Sequence, residues 1–133
     1  MEHKVNADDF ESLKLIGKGA HSKVLLVRHR ETKEIFAMKM VKKEAVQSQS
    51  QLEHIRTERN VLAKVQHPFI VRLKYAFHNR KKLYFVMEYC PGGELYFHLS
   101  RERRFAEPQA KFYAASLILA LEYLHESHVI YRE

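Results

Sequence analysis

The chemistry of this sequence is concentrated in a glycine-bearing turn and a single lysine that follows it. Gly17-Lys18-Gly19-Ala20-His21-Ser22-Lys23-Val24 lies between two apolar stretches, Leu13 to Ile16 and Val24 to Val27. Fifteen residues after Val24 comes Lys39, in the run Ala37-Met38-Lys39. The chain has only four glycines, and two of them are in this turn. Glycine between two strands lets backbone N–H groups approach an anion with no Cβ in the way. A lysine arriving on the next strand supplies the point charge that a di- or triphosphate needs. Turn and lysine together predict a nucleotide site.

Such a site needs strands to hold it, and the apolar spacing provides them. Ile35, Ala37, Lys39 and Val41 share one face of a strand by its period of two, with Phe36, Met38 and Met40 on the other. Val71, Leu73, Tyr75 and Phe77 alternate with Arg72, Lys74 and His78, the pattern of a half-buried strand. Leu83 to Met87 is a short continuous apolar run, expected to be a more buried strand. Between the third and fourth strands, Gln51 to Val65 has helical spacing, with Ile55, Leu62 and Val65 as its stripe. Glu58 falls inside that stripe. A carboxylate on an apolar face is costly unless paired, so a cationic partner is predicted, with Lys39 the best candidate. The alternative is that Glu58 reaches solvent or pairs with a local arginine such as Arg59.

From Gly92 onward the character changes. Cys90-Pro91-Gly92-Gly93 is a breaker cluster and no strand pattern follows it. A short helix is expected over Glu94 to Ser100, and Pro108 opens a long one running to about His125. From Ala110 to Leu124 the only clearly polar residues are Lys111, Ser116 and Glu122. A helix apolar nearly all round expects neighbours on several sides. Nine residues follow Leu124, too few to build them, so part of its partner surface is expected to lie outside these residues. The organisation read from the sequence is an extension over 1–9, a sheet-rich part over 10–88, a hinge at 89–93 and a helical part over 94–133.

Composition sets bounds on this reading. The chain of 133 residues has room for one domain, and 46% apolar content is enough for a packed core. Cys90 is the only cysteine, which excludes a disulfide framework or cysteine-based zinc spacing and fits a reducing, cytoplasmic setting. The polar N-terminus lacks the apolar segment of a signal peptide, and no run of about 18 apolar residues exists to span a membrane. The net charge of +7 rests on spots such as Lys42-Lys43, Arg80-Lys81-Lys82 and Arg101 to Arg104, read as solvated faces. Nucleic-acid binding would need exposed aromatics interleaved with those charges; here the aromatics follow buried periods, so no nucleic-acid partner is expected. His125 and His128 suit the end of a helix dipole better than a metal site. Cys90 reads as a small hydrophobe.

The ordered motifs resemble those of eukaryotic protein kinases, and more narrowly the AGC group of serine/threonine kinases, near protein kinase B and protein kinase C. Asp8-Asp9-Phe10, the glycine loop, Ala37-Met38-Lys39, Leu62 and His67-Pro68-Phe69 fall in the family's order. Phe85 to Tyr89, Gly92-Gly93-Glu94-Leu95, His98-Leu99, Phe112-Tyr113 and Ile130-Tyr131-Arg132 continue it. The resemblance implies an α+β fold: the kinase small lobe, an antiparallel sheet plus helix C, then the hinge and the first two helices of the large lobe. It implies ATP and Mg²⁺ as cofactors, with Gly17, Lys18, Gly19, Ala20, His21 and Ser22 covering the phosphates and Lys23 in the same cofactor-binding set. Lys39 would hold the α- and β-phosphates while pairing with Glu58. Ile16, Val24 and Ala37 would wall the adenine pocket, with Met87 as gatekeeper. The backbone of Glu88 and Cys90 would bond the adenine edge, and Glu94 would contact the ribose and, in basophilic members, a substrate arginine. Protein substrates with basic surroundings are implied, as is docking of a hydrophobic C-terminal motif on the small lobe.

Two departures from the family pattern stand out. Ser22 occupies the place of the loop's third glycine, and His21 that of the aromatic before it. The family's Tyr-Arg-Asp is Tyr131-Arg132-Glu133 here, which puts Glu133 at the catalytic-base position. The family's catalytic-loop asparagine and Asp-Phe-Gly metal ligand would lie downstream. An N-terminal fragment of a kinase, inactive alone, is therefore expected. The rival expectation is a non-catalytic small-lobe interaction module, separable by whether the chain folds cooperatively and binds a partner specifically.

Overall fold

The computed structural model describes residues 4–131. The chain forms two compact units, one made of the chain up to Val65 with Val71–Tyr89, the other of Gln66–Ile70 with the chain from Cys90 onward. The first unit is a five-stranded antiparallel sheet built from β1 (Phe10–Lys18), β2 (Ser22–His29), β3 (Ile35–Lys42), β4 (Leu73–His78) and β5 (Lys82–Glu88). The spatial order is β1-β2-β3-β5-β4, so β5 inserts between β3 and β4. Helix α1 (Gln49–Lys64) connects β3 to β4. Its start is two residues earlier than the apolar spacing predicts, because Ser48 caps it. The Ser48 hydroxyl accepts from the Gln51 N–H at 3.1 Å, and the Gln51 side chain accepts from the Ser48 N–H at 3.3 Å.

The core lies on one face of this sheet. Phe10, Val27, Phe36, Met38, Tyr84 and Val86 form a single buried cluster. The cluster follows from strand alternation: Phe36 and Met38 are buried, while Ala37 and Lys39 between them are only half-buried. β1 and β4 are the two edges, yet the Phe10 ring lies 6.1 Å from Phe77 and 6.0 Å from Tyr75. The sheet therefore curls until its edge strands share one aromatic cluster, as the twist of a sheet allows. Two irregularities in β1, between Ser12 and Lys14 and between Leu15 and Gly17, help it to bend.

The second unit holds α2 (Leu95–Glu102) and α3 (Glu107–Glu126). Gly93 precedes α2 at φ +78, a backbone that favours glycine. The loop 66–70 is tied to α3: the Gln66 N–H donates to the Tyr123 hydroxyl at 3.1 Å, and the His67 ring lies 5.2 Å from that of Tyr123. α3 stops at a pair of closing bonds, from the Val129 N–H to the Leu124 carbonyl at 2.8 Å and from the His128 N–H to the His125 carbonyl at 3.0 Å. His128 takes the left-handed position of this stop, φ 61, where glycine is usual. As the apolar sequence of α3 implies, most of its surface is uncovered. Ala120 is its one buried residue, while Phe112, Leu117 and Ile118 are more than half exposed. Among the described residues no helix is long and apolar enough to cross a membrane.

Candidate nucleotide-binding site

The glycine turn is a tight hairpin between β1 and β2. Gly17 pairs with Val24 and Lys18 with Lys23, and the Gly19 N–H donates to the Ser22 carbonyl at 2.8 Å. That amide is therefore committed within the hairpin. Neither Gly17 nor Gly19 has a positive φ; at Gly19 it is close approach that asks for glycine. A Cβ on Gly19 would lie 2.9 Å from the Ser22 hydroxyl oxygen, and one on Gly17 would lie 3.4 Å from the Val24 Cβ. Ala20 and His21 form the exposed tip, and Ile16 is the extra residue of the second β1 irregularity, 39% exposed.

Register then collects the predicted pocket residues on one sheet face. Val24 lies opposite Lys39 and Leu26 opposite Ala37 across β2 and β3. Ala37 lies opposite Met87 and Lys39 opposite Phe85 across β3 and β5. Directly opposed residues share a face, so Val24, Ala37, Lys39 and Met87 line the side opposite the Phe36–Met38 core. Leu26 and Phe85 join them; sequence reasoning had no means to select these two, because the signal lies in the register. Lys39 is half-buried and makes no ion pair among the described residues. A half-buried ammonium without a carboxylate, beside apolar walls and a glycine hairpin, suits the phosphates and base of a nucleotide.

The predicted partnership of Lys39 with Glu58 is not formed. Glu58 is exposed and has no ion pair with Lys39. The helical spacing does place Glu58 on the same side of α1 as Ile55 and Leu62, which are half-buried. Glu58 itself is exposed, so water solvates the carboxylate and the desolvation that would require a cation does not arise.

The remaining predicted residues are dispersed. Glu88 ends β5; its N–H donates to the Arg72 carbonyl at 3.1 Å and its carboxylate accepts from the Arg72 N–H at 3.0 Å. Cys90 and Glu94 belong to the second unit and are exposed, and Glu94 stands at the N-cap of α2 without a capping bond from its side chain. Glu133 lies outside the described residues. Among the described residues no group of three or more His, Cys, Asp or Glu side chains could hold a metal ion.

A second feature sits at the same end of the sheet. A cavity of roughly 260 Å³ is lined by the hairpin tip, Met40 and four lysines, Lys18, Lys23, Lys42 and Lys82. Lys18 lies opposite Lys23, Lys23 opposite Met40, and Lys42 opposite Lys82. These side chains continue the Phe36–Met38–Met40 face, not the Lys39 face. The sequence shows Lys42 and Lys82 only as parts of basic spots; the cross-strand pairing that gathers them is non-local.

The protein kinase domain family matches residues 10–133. The chain is 51% identical over 130 residues to a human RAC-beta serine/threonine-protein kinase, covering 98% of the chain and 27% of the relative. It is 46% identical over 130 residues to the RAC family serine/threonine-protein kinase homolog of Dictyostelium discoideum, covering 98% of the chain and 29% of the relative. With the zebrafish (Danio rerio) serine/threonine-protein kinase Sgk1 it shares 52% identity over 126 residues, 94% of the chain and 29% of the relative. The curled five-stranded sheet with its helix is the small lobe of this fold, and the chain belongs to the protein kinases, within their AGC serine/threonine group.

Proposed function

We propose that this chain is the ATP-gripping part of a serine/threonine protein kinase. The chain spans 27–29% of the length of the curated relatives named above, so the activity of a whole protein is part of the proposal. The observation that carries it is the shared face of Val24, Ala37, Lys39 and Met87 beside the glycine hairpin. On that face apolar walls receive the adenine, with Met87 at its back and the Glu88 backbone at its edge. Lys39 meets the α- and β-phosphates, and the hairpin covers them. Mg²⁺, when bound, neutralises charge on the phosphates. The whole protein would pass the γ-phosphate of ATP to serine or threonine in basic surroundings, in the cytoplasm, with a hydrophobic motif docked on the small lobe.

Residues 1–133 alone bind nucleotide and transfer no phosphate. They contain no Asp-Phe-Gly sequence, and a glutamate, Glu133, stands where the family's catalytic aspartate is expected. Phosphoryl transfer is mostly positioning and electrostatic stabilisation, so lacking the metal ligand removes a main contribution. The test is ATP binding by calorimetry, with radiolabelled transfer to a basic peptide measured in parallel. ATP binding that weakens at least tenfold in Lys39→Met, without transfer, is expected. Equal binding by Lys39→Met, or transfer abolished by that substitution, would overturn one or the other half of the reading.

A further inference from the structure

The end of the β4–β5 ladder is closed by a side chain. Leu73 lies opposite Met87, so Arg72 and Glu88 are the next facing pair. In an antiparallel ladder a bonded pair exchanges two hydrogen bonds, each N–H donating to the other residue's carbonyl. Here the backbones make only half of that exchange. The Glu88 N–H donates to the Arg72 carbonyl at 3.1 Å, whereas the Arg72 N–H donates to the Glu88 carboxylate at 3.0 Å. The carboxylate takes the place of its own residue's carbonyl. Glu88 is exposed and makes no ion pair among the described residues, so this bond is the contact that fixes its side chain.

We propose that the Glu88 carboxylate is a positioning residue for the base: by holding the Arg72 N–H, it leaves the Glu88 carbonyl open to a donor on the ligand. This rests on reading the Lys39 face as a nucleotide site with the Glu88 backbone at the adenine edge. A backbone carbonyl is an obligatory acceptor and takes the donor that geometry brings to it. Without the carboxylate that donor is the Arg72 N–H, which the antiparallel pairing directs at the carbonyl. With it, the acceptor is kept for the 6-amino group of adenine.

The consequence is a choice between purines. A 6-oxo purine presents an acceptor where adenine presents a donor, and two facing acceptors form no bond. A site built to accept from an N–H discriminates against an analogue that lacks it. The Glu88 side chain therefore sets a preference for 6-amino over 6-oxo purine nucleotides without touching the base.

The experiment measures binding of ATP and of inosine triphosphate, its 6-oxo counterpart, to the 133-residue chain by calorimetry. Wild type, Glu88→Ala, Glu88→Gln and Arg72→Ala are compared, with a denaturation midpoint for each. Glu88→Ala should shrink the preference for ATP about three- to tenfold, the effect of about one net hydrogen bond. Glu88→Gln, whose amide oxygen still accepts from the Arg72 N–H, should retain most of the preference. Arg72→Ala, which keeps that N–H, should match wild type. A role confined to stability would instead lower the midpoint and weaken both nucleotides alike.

Nuclear magnetic resonance on the nucleotide-free chain supplies a second readout. Coupling across the hydrogen bond should join the Arg72 nitrogen to the Glu88 carboxylate carbon, and in Glu88→Ala to the carbonyl carbon at position 88. An unchanged ATP preference in Glu88→Ala overturns the inference and leaves the nucleotide reading in place. Equal binding of the two nucleotides by wild type does the same, as does coupling from Arg72 to the Glu88 carbonyl in wild type. Failure of wild type to bind either nucleotide would sink both.

Discussion

Gly19 and Ser22 define each other. The space where a Gly19 side chain would begin is 2.9 Å from the Ser22 hydroxyl oxygen, and the two residues also share the hydrogen bond that closes the hairpin. Gly19→Ala should therefore force Ser22 off its rotamer, at a cost of about 0.5–1.5 kcal/mol. Gly19→Ala with Ser22→Gly should recover most of that loss, a coupling that urea-denaturation midpoints of the two single variants and the double variant would show. Additive losses would mean that Ser22 does not fill the space. Residue-level reading of the sequence located the glycine turn between two strands and Lys39 within a third, because both are local patterns. It erred at Glu58, because helical spacing gives the direction of a side chain but not whether anything stands opposite it.

Strand alternation is the element-scale signal that carried furthest. The faces of β3 emerge as the period of two predicts, Phe36 and Met38 buried and Ala37 and Lys39 half-buried. The order of strands was not legible, since placing β5 between β3 and β4 is a long-range choice among equally patterned segments. Register was hidden for the same reason, and with it the Lys42–Lys82 pairing. The core face also fixes the site face, because both are sides of one strand. Phe36→Ala should remove about 3–5 kcal/mol of stability, since the ring is 5% exposed and packs edge-on against Phe10 and Tyr75. The measurement is the shift in denaturation midpoint. A loss below about 1 kcal/mol would mean that the aromatic cluster does not organise the sheet.

For the whole molecule, the uncovered apolar surface of α3 should set its solution behaviour. Leu117 is 57%, Ile118 63% and Phe112 62% exposed, spread around the helix as apolar surface of the kind that binds partners or aggregates. Leu117→Glu with Ile118→Glu should reduce binding of a hydrophobic dye and raise the concentration at which the chain scatters light. The unfolding midpoint of the sheet should stay within about 0.5 kcal/mol of wild type. Unchanged dye binding would place the sticky surface elsewhere. The sequence announced this property, because an almost wholly apolar helix is not locally self-sufficient.

The loop 66–70, held to α3 through Tyr123, has a consequence for how the chain comes apart. Because that loop belongs to the second unit while its flanks belong to the first, the polypeptide crosses between the units three times, after Val65, after Ile70 and after Tyr89. A protease cut in the exposed Cys90–Gly93 segment severs only one of those crossings. The liberated C-terminal piece would still be gripped by a loop that stays covalently part of the sheet, as a nicked protein whose halves elute together.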